Sequence, residues 1–306
     1  MYKEVTKLQK IWTLSIALNL TFTCMGYPVK AIPANCGFLP ILKASGVKVY
    51  YKNQKSSQKE FITVIQTTKA KIENLTGTIF KLPASRVSKK PLSQFWRDAV
   101  SKNKSNRQAR VVINGTFFST KQDPTGIAFG LKARGNIVTY GYGIANEYPG
   151  EIRTFSFNPQ AGFASIQSYS TEWFRRFPEV IGALDPKANK AATKYLPRTF
   201  VGVRDDNGDN LNETVIFYSS NYARQVDAQN ALKCFGANNS AMLDGGGSTG
   251  IIVDGKSLID TPRKIQHAIG VLEWRKGDGG MGRQGDKGTR RQGDKETRGW
   301  GEIKFL

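Results

Sequence analysis

The segment of residues 244–250 has the strongest chemical signal in this chain. Its sequence, DGGGSTG, follows an apolar pair that is typical of the end of a buried strand. Three consecutive glycines let the backbone approach a ligand closely, and their amides can form a nest for an anion. Asp244 adds a carboxylate at the start of the segment. The residues predicted to bind substrate here are Gly245, Gly246, Gly247, Ser248 and Thr249.

Two common phosphate-binding motifs do not match this segment. A nucleotide-binding P-loop ends in Gly-Lys-Ser or Gly-Lys-Thr, which is absent here. In a dinucleotide-binding fold a helix follows the glycines, whereas the residues after Gly250 read as a strand. The glycines by themselves are equally compatible with a tight loop that packing requires.

Three other segments place polar side chains near strand ends. Asn114 follows the apolar run Val111–Ile113, and an Asn in that position binds a ligand or holds its own turn. Arg198 precedes one strand and Arg263 precedes another, and a guanidinium group suits phosphate. Phe118, the second of two consecutive phenylalanines, stacks on a sugar or fills the core.

In this order, the four segments resemble the phosphodiester glycosidase family. The resemblance spans about Gly46 to Leu272 and implies a hydrolase that acts on a sugar-1-phosphodiester or a related glycosidic bond of an envelope or extracellular glycan. His267 departs from the family, which commonly has Asn or a small polar residue there. The residues that carry the resemblance are Asn114-Gly115-x-Phe117-Phe118, Pro197-Arg198-Thr199, Leu243–Thr249 and Arg263-x-Ile265 with Ala268–Gly270.

The implied reaction suggests roles for these residues. Phosphate is already a good leaving group, so the site mainly requires charge neutralisation and a carboxylate near the anomeric carbon. We expect Arg198 and Arg263 to hold the phosphate, Asp244 to stabilise the sugar cation or position water, and Asn114 to orient the sugar or Asp244. Phe118 and His267 complete the substrate-binding set. His267 is the chain's single histidine, and a structural role for it stays open.

A second catalytic carboxylate is not assigned by the sequence. Glu179, Asp185 and Asp227 are the alternatives, of which Asp185, after an apolar segment, is the first choice. The same carboxylates would suit a divalent cation such as calcium, but no EF-hand spacing is present. The sequence therefore predicts no cofactor and assigns no metal ligands, and the need for a divalent cation is left open.

The elements that must position these residues indicate an α+β fold: a mixed β-sheet core with packed helices in a single domain. Short apolar runs between Gly, Asn and Asp residues predict strands. Residues 92–102 have helical spacing, and 226–235 have apolar residues at i, i+3, i+4 and i+7 with Gly236 placed as the cap.

The two ends of the chain differ from its middle. Residues 1–31 carry lysines before an apolar run and are predicted to be a signal peptide or N-terminal anchor. Residues 40–274 form the predicted glycosidase-like domain. Residues 275–306 contain a tandem repeat of Gly and charged residues and are predicted to be disordered. The protein is thus expected to be secreted or periplasmic, where Cys36 and Cys234 form a disulfide or remain buried thiols.

The formal net charge of +21 favours anionic partners. A carbohydrate or sugar-phosphate substrate is predicted; nucleic acid is not, because no nucleic-acid motif accompanies the charge. No membrane contact is predicted beyond the export signal, and the oligomeric state is left open. The alternative function is a non-catalytic binder of anionic glycans that uses the same basic cleft.

Overall fold

The computed structural model of this protein describes residues 36–55, 57–80, 85–144 and 146–275. The predicted N-terminal segment 1–31 and all of the predicted tail except Arg275 lie outside the described residues. Within the described ranges, no helix has the length and apolar character needed to cross a membrane.

The described residues form two main antiparallel sheets. The large sheet has eleven strands, and nine of them follow the order β1-β2-β3-β14-β13-β15-β12-β10-β11, while β8 pairs with β12 and β9. The strands of the large sheet are β1 (Leu39–Lys43), β2 (Val47–Lys55), β3 (Gln58–Gln66), β8 (Leu131–Ala133), β9 (Asn136–Thr139), β10 (Ile152–Asn158), β11 (Phe163–Ser168), β12 (Glu179–Leu184), β13 (Leu196–Arg204), β14 (Thr214–Ala223) and β15 (Asn239–Met242).

The small sheet has five strands in the order β17-β16-β7-β18-β4. Its strands are β4 (Ala70–Thr76), β7 (Arg107–Asn114), β16 (Ile251–Val253), β17 (Lys256–Ile259) and β18 (His267–Trp274), and a separate ladder joins β5 (Ile79–Phe80) to β6 (Arg86–Val87). The helices of the described residues are α1 (Leu92–Val100), α2 (Thr171–Arg176) and α3 (Gln225–Cys234).

The two sheets pack face to face, and α3 and α1 cover their outer faces. One core cluster joins the inner faces and includes Phe217 of β14 and Ile113 of β7. Ile216, the neighbour of Phe217, points to the opposite face of the large sheet and packs in a second cluster with Leu232 of α3. A third cluster packs Phe95 of α1 on the small sheet. Strands of both sheets are therefore buried on both faces.

The expected α+β class is wrong. Nearly half of the described residues lie in strands, and these strands pair through antiparallel ladders, so the body is an antiparallel β-sandwich rather than a mixed sheet with packed helices. The error has a physical cause. Strands covered on one face by a sheet and on the other by a helix lose the alternation of apolar and polar residues, and their continuous apolar runs resemble those of parallel sheets.

The two predicted helices are confirmed, and the open alternative for Cys36 and Cys234 is decided in favour of the disulfide. Helix α3 begins at Gln225 and ends at Cys234, and Gly236 follows in the left-handed region at φ +83°. Cys36 and Cys234 form a disulfide across a Cα–Cα distance of 6.0 Å. The bond ties the residues just before β1 to the last turn of α3, on the outer face of the large sheet.

Candidate functional site

A cavity of about 450 Å³, which we call the site cavity, opens where β13 begins and β15 ends. It holds the start of the glycine loop, which we define as residues 244–250. A larger apolar cavity of about 500 Å³ lies elsewhere, between Leu42, Phe61 and Leu258, and contains none of the predicted site residues. We therefore place the site at the smaller cavity. Its lining includes Phe117, Lys190, Pro197, Asp244, Gly245 and Gly246.

Asp244 follows the last residue of β15 and is held by the backbone of the small sheet. Its amide N–H donates to the carbonyl of Gly115 at 3.0 Å, and its carboxylate Oδ1 accepts the N–H of Gly245 at 3.0 Å. Burial raises the pKa of Asp244 to about 6. The Ser248 hydroxyl, the Gly245 amide and the charges of Arg263 and Lys190 oppose this rise. The carboxyl thus titrates close to neutral pH.

Asn114 holds both ends of the glycine loop. Its Nδ2 donates to the carbonyl of Asp244 at 2.7 Å, and its Oδ1 accepts the N–H of Gly250 at 3.1 Å. The same Oδ1 accepts the hydroxyl of Thr199 on β13 at 2.7 Å. Asn114 is 1% exposed, so all three bonds lie in the interior. The side chain acts on the position of Asp244 rather than on a ligand in the cavity.

Glycine is required at positions 246 and 247 of the loop for two different structural reasons. Gly246 has φ +60°, a conformation that side chains with a Cβ rarely adopt. At Gly247 a Cβ would lie 2.6 Å from Nε of Arg263, so the absence of a side chain lets the guanidinium rest on the loop. Among the described residues, the N–H groups of Gly246 and Gly247 have no hydrogen-bond acceptor. Two amides beside a guanidinium form a binding surface for an anion.

The hydroxyls of Ser248 and Thr249 are also left without normal hydrogen bonds. Both Oγ atoms are buried, and neither has a partner of normal geometry within the part of the chain that the structure describes. Ser248 is nevertheless near enough to Asp244 to lower the pKa of its carboxyl. Neither residue lines the site cavity, so the structure assigns no ligand contact to these two hydroxyls.

The positive charges of two residues lower the pKa of Asp244. Only one of these residues, Arg263, was predicted from the sequence. Arg263 is exposed and rests against Gly247, as expected of a ligand-binding residue. The second cation, Lys190, lines the site cavity, with Nζ 5.6 Å from the ring centroid of Phe117 and 5.4 Å from that of Tyr148. No motif marks Lys190 in the sequence. Its position follows from a loop that crosses the cavity mouth.

Arg198 belongs to the lining of the site cavity, but its guanidinium donates to backbone carbonyls instead of into the cavity. Its Nη1 donates to the carbonyl of Lys190 at 2.8 Å, and its Nη2 donates to those of Ala191 and Lys194 at 2.7 and 3.2 Å. Its Nε donates to Ala223 at 3.3 Å, and the side chain is 4% exposed. These bonds occupy the guanidinium that the sequence assigned to phosphate. Arg198 instead holds the loop of residues 185–195, which we call the cavity loop.

His267 and Phe118 lie outside the site cavity. His267 is 1% exposed; Nδ1 accepts the N–H of Thr116 at 3.1 Å, and Nε2 faces Oδ1 of Asn74 at 3.0 Å. Burial lowers the pKa of His267 to about 3, so the ring is neutral and has no free nitrogen for substrate. Phe118 packs on the cluster under α1, whereas its neighbour Phe117 lines the cavity.

The three alternatives for a second carboxylate do not line the site cavity. Glu179 is buried between the sheets and accepts the N–H groups of Asn74 and Arg134, and burial raises its pKa to about 7. Asp185 pairs with Arg153. Asp227 accepts the backbone N–H of Arg224 at the start of α3. Asp244 is the one carboxylate among the described lining residues.

One group of carboxylates in the described residues has the spacing of a metal site. The ligand atoms of Asp205, Asp209 and Glu213 lie within 4.8 Å of one another on the loop between β13 and β14. The carboxylate of Asp205 already accepts the N–H groups of Asn207, Gly208 and Asn210. The group lies at the end of β13 opposite Arg198, so it takes no part in the site cavity.

The fold is an antiparallel β-sandwich, and the cavity combines one carboxylate with two nearby cations. A model of the phosphodiester glycosidase family matches residues 100–272, and the chain belongs to this family. No curated protein matches the chain significantly.

The fold is similar to that of one solved structure, and a second solved structure matches with a lower score. A hypothetical protein from Synechocystis has 14% identity and a TM-score of 0.51, with 77% of this chain and 64% of that chain covered. This chain therefore spans less than two thirds of the length of the Synechocystis protein. The catalytic domain of zebrafish N-acetylglucosamine-1-phosphodiester alpha-N-acetylglucosaminidase has 14% identity and a TM-score of 0.47, with 78% of this chain and 81% of that chain covered.

Proposed function

We propose that this protein hydrolyses the bond between the anomeric carbon of a sugar and a phosphodiester. The observation that carries the proposal is the Asp244 carboxylate, which lies at the site cavity under the influence of Arg263 and Lys190. Water supplies the oxygen that replaces phosphate on the anomeric carbon, and the phosphate leaves as a monoester. Family membership supports this reaction class.

The residues divide into a cationic side and an anionic centre. Arg263, Lys190 and the unpaired amides of Gly246 and Gly247 neutralise the phosphate as the bond to the sugar lengthens. The ionised Asp244 stabilises positive charge at the anomeric carbon. Because phosphate leaves readily without a proton, the reaction does not require a second carboxylate in the cavity.

We also propose that the protein acts outside the cytoplasm. The lysine-led apolar run at the N-terminus is typical of an export signal. The disulfide between Cys36 and Cys234 is consistent with an oxidising compartment. Phosphodiester-linked sugars of envelope or extracellular glycans are the substrates that suit this location.

A panel of sugar-1-phosphodiesters that differ in the sugar tests the reaction. We expect the full chain to release free sugar from at least one of them. Lys190→Ala and Arg263→Ala should each raise KM roughly tenfold, because each removes a charged contact to phosphate. Lys187→Ala, an exposed lysine of the cavity loop outside the cavity lining, is the control and should leave KM unchanged. Binding of the panel without release of sugar would contradict the proposal and favour a non-catalytic binder.

The pH dependence of hydrolysis tests the protonation state of Asp244. Burial raises the pKa of this carboxyl to about 6, and the proposed role needs the ionised form. We therefore expect kcat/KM to rise with pH through a midpoint near 6 and to level off above pH 7. Initial rates on one active diester between pH 4 and pH 9 measure the profile. Maximal activity below pH 5 would show that the protonated carboxyl is the working form.

A further inference from the structure

Two tyrosines form an exposed stacked pair on the surface of the large sheet. The ring centroids of Tyr195 and Tyr222 lie 4.9 Å apart, with 15° between the ring planes, and each residue is 44% exposed. Leu196, the residue after Tyr195, and Val226, four residues after Tyr222, are 37% and 45% exposed. We call Tyr195 and Tyr222 the tyrosine pair. Clustered apolar side chains that stay outside the core indicate a surface for binding.

The tyrosine pair is held rigidly before any ligand arrives. Arg198 binds the carbonyls of the cavity loop up to Lys194, the residue before Tyr195. The guanidinium of Arg224 lies 5.1 Å from the ring centroid of Tyr195 and is itself paired with Asp227 at 2.9 Å. Because the rings are already ordered, a ligand that stacks on them loses little affinity to the ordering of side chains.

The tyrosine pair lies at the edge of the site cavity. Tyr195 directly precedes Leu196 and Pro197, and both of these residues line the cavity. The carbonyl of Pro197 is 3.0 Å from the point where a Cβ on Gly245 would stand. A chain molecule that extends from Asp244 past Pro197 and Leu196 would therefore run toward Tyr195, the next residue of the chain.

We propose that the tyrosine pair is an accessory subsite for a further sugar unit of a glycan chain. The proposal rests on the proposed function, which makes the ligand of the neighbouring cavity a sugar. A flat aromatic face carries negative charge and attracts the C–H face of a pyranose ring, and the phenol groups add hydrogen bonds at its edge. The exposed surface comprises four side chains, whereas a stable protein interface uses about 20–30 residues on each side.

The subsite makes the substrate a glycan chain rather than a small diester. One sugar with its phosphodiester occupies the site cavity, and at least one more sugar lies on the tyrosine pair. The chemistry of bond cleavage at Asp244 does not involve the tyrosines. Their loss should therefore weaken the binding of chains and leave the turnover of small diesters unchanged.

The test measures oligosaccharide binding apart from hydrolysis. Chitohexaose and maltohexaose are titrated into the full chain and followed by calorimetry and saturation-transfer NMR. We expect binding of at least one of them, weakened about tenfold in Tyr195→Ala and in Tyr222→Ala. Tyr140→Ala is the matched control, because Tyr140 is 43% exposed and lies outside the site cavity lining.

The outcomes separate this subsite from the proposed reaction. Tyrosine-dependent binding of oligosaccharides supports the subsite even if no sugar phosphodiester is hydrolysed. Binding that is equal in the parent and in both variants, or no binding of either oligosaccharide at millimolar concentration, would overturn it. Where a small diester is hydrolysed, a fall in its kcat in the folded tyrosine variants would also contradict the subsite, because it would place the rings in the reaction itself.

Discussion

Asp244→Asn is expected to reduce hydrolysis of a sugar phosphodiester by about a thousandfold and, at pH 8, to make the protein more stable. The loss of activity follows from removing the negative charge that the transition state requires. Asn retains an oxygen that accepts the N–H of Gly245, which lies 3.0 Å from Oδ1 in the parent. The loop geometry should therefore survive the substitution.

The gain in stability follows from the direction of the pKa shift. Folding raises the pKa of Asp244 from 3.8 to about 6, so the folded state holds its proton more tightly than the unfolded state. This preference favours folding below pH 4 and is lost as the pH rises through about 6. Above that pH the buried charge costs about 1–3 kcal/mol. Asn has no charge to bury, so the Asp244→Asn variant should have a higher free energy of unfolding than the parent at pH 8. This difference should vanish near pH 4.

Denaturant titrations at pH 8 and pH 4, with rates on an active diester, measure both effects. Asp185→Asn is the control: Asp185 pairs with Arg153 outside the cavity lining, so this variant should keep most of its activity. An Asp244→Asn variant that keeps the parent's rate, or that is less stable than the parent at pH 8, would contradict the assigned role.

Arg198→Lys is expected to lower the free energy of unfolding by about 3–5 kcal/mol, because it breaks most of four bonds to backbone carbonyls. A lysine ammonium cannot reach the same acceptors in the same plane. The cavity loop then loses its support, and Lys190 loses its place at the cavity. We expect KM for the diester to rise as well.

Denaturant titration with steady-state kinetics distinguishes a structural arginine from a phosphate ligand. Arg175→Lys is the matched control, because Arg175 is exposed and faces Glu172 at 3.6 Å; it should change stability by less than about 1 kcal/mol. If Arg198 bound phosphate directly, Arg198→Lys would raise KM at unchanged stability. That result would restore the role that the sequence first suggested.

Much of the local structure could be predicted from the sequence. The helical spacing of Ala228, Ala231 and Leu232 predicted α3. In the structure all three side chains lie on the buried face of this helix. Asn207-Gly208, a pair typical of hairpin turns, lies in the loop between β13 and β14. Strand β12 was missed because all six of its residues are buried, which removes any alternation. The fold class failed for the same reason.

The candidate site was predictable only in part. The glycine loop and its acidic residue were visible because the local backbone requires glycine at Gly246 whatever surrounds it. Lys190 was invisible, because an ordinary lysine in a polar loop has no distinguishing pattern. The direction of the Arg198 side chain was also hidden, since it depends on carbonyls of a loop whose path no local pattern describes.

The sequence by itself indicated the family, the glycine loop with Asp244 and the helix α3, whereas it left open whether Cys36 and Cys234 form a disulfide. Only the tertiary structure decided which residues meet. Asn114 of the small sheet reaches Asp244 and Thr199 of the large sheet, 130 and 85 residues along the chain. Such contacts depend on how two sheets pack, whereas sequence patterns report burial and turns over a few residues. Because of this packing, Arg198 binds the carbonyls of the cavity loop and Lys190 lines the site cavity.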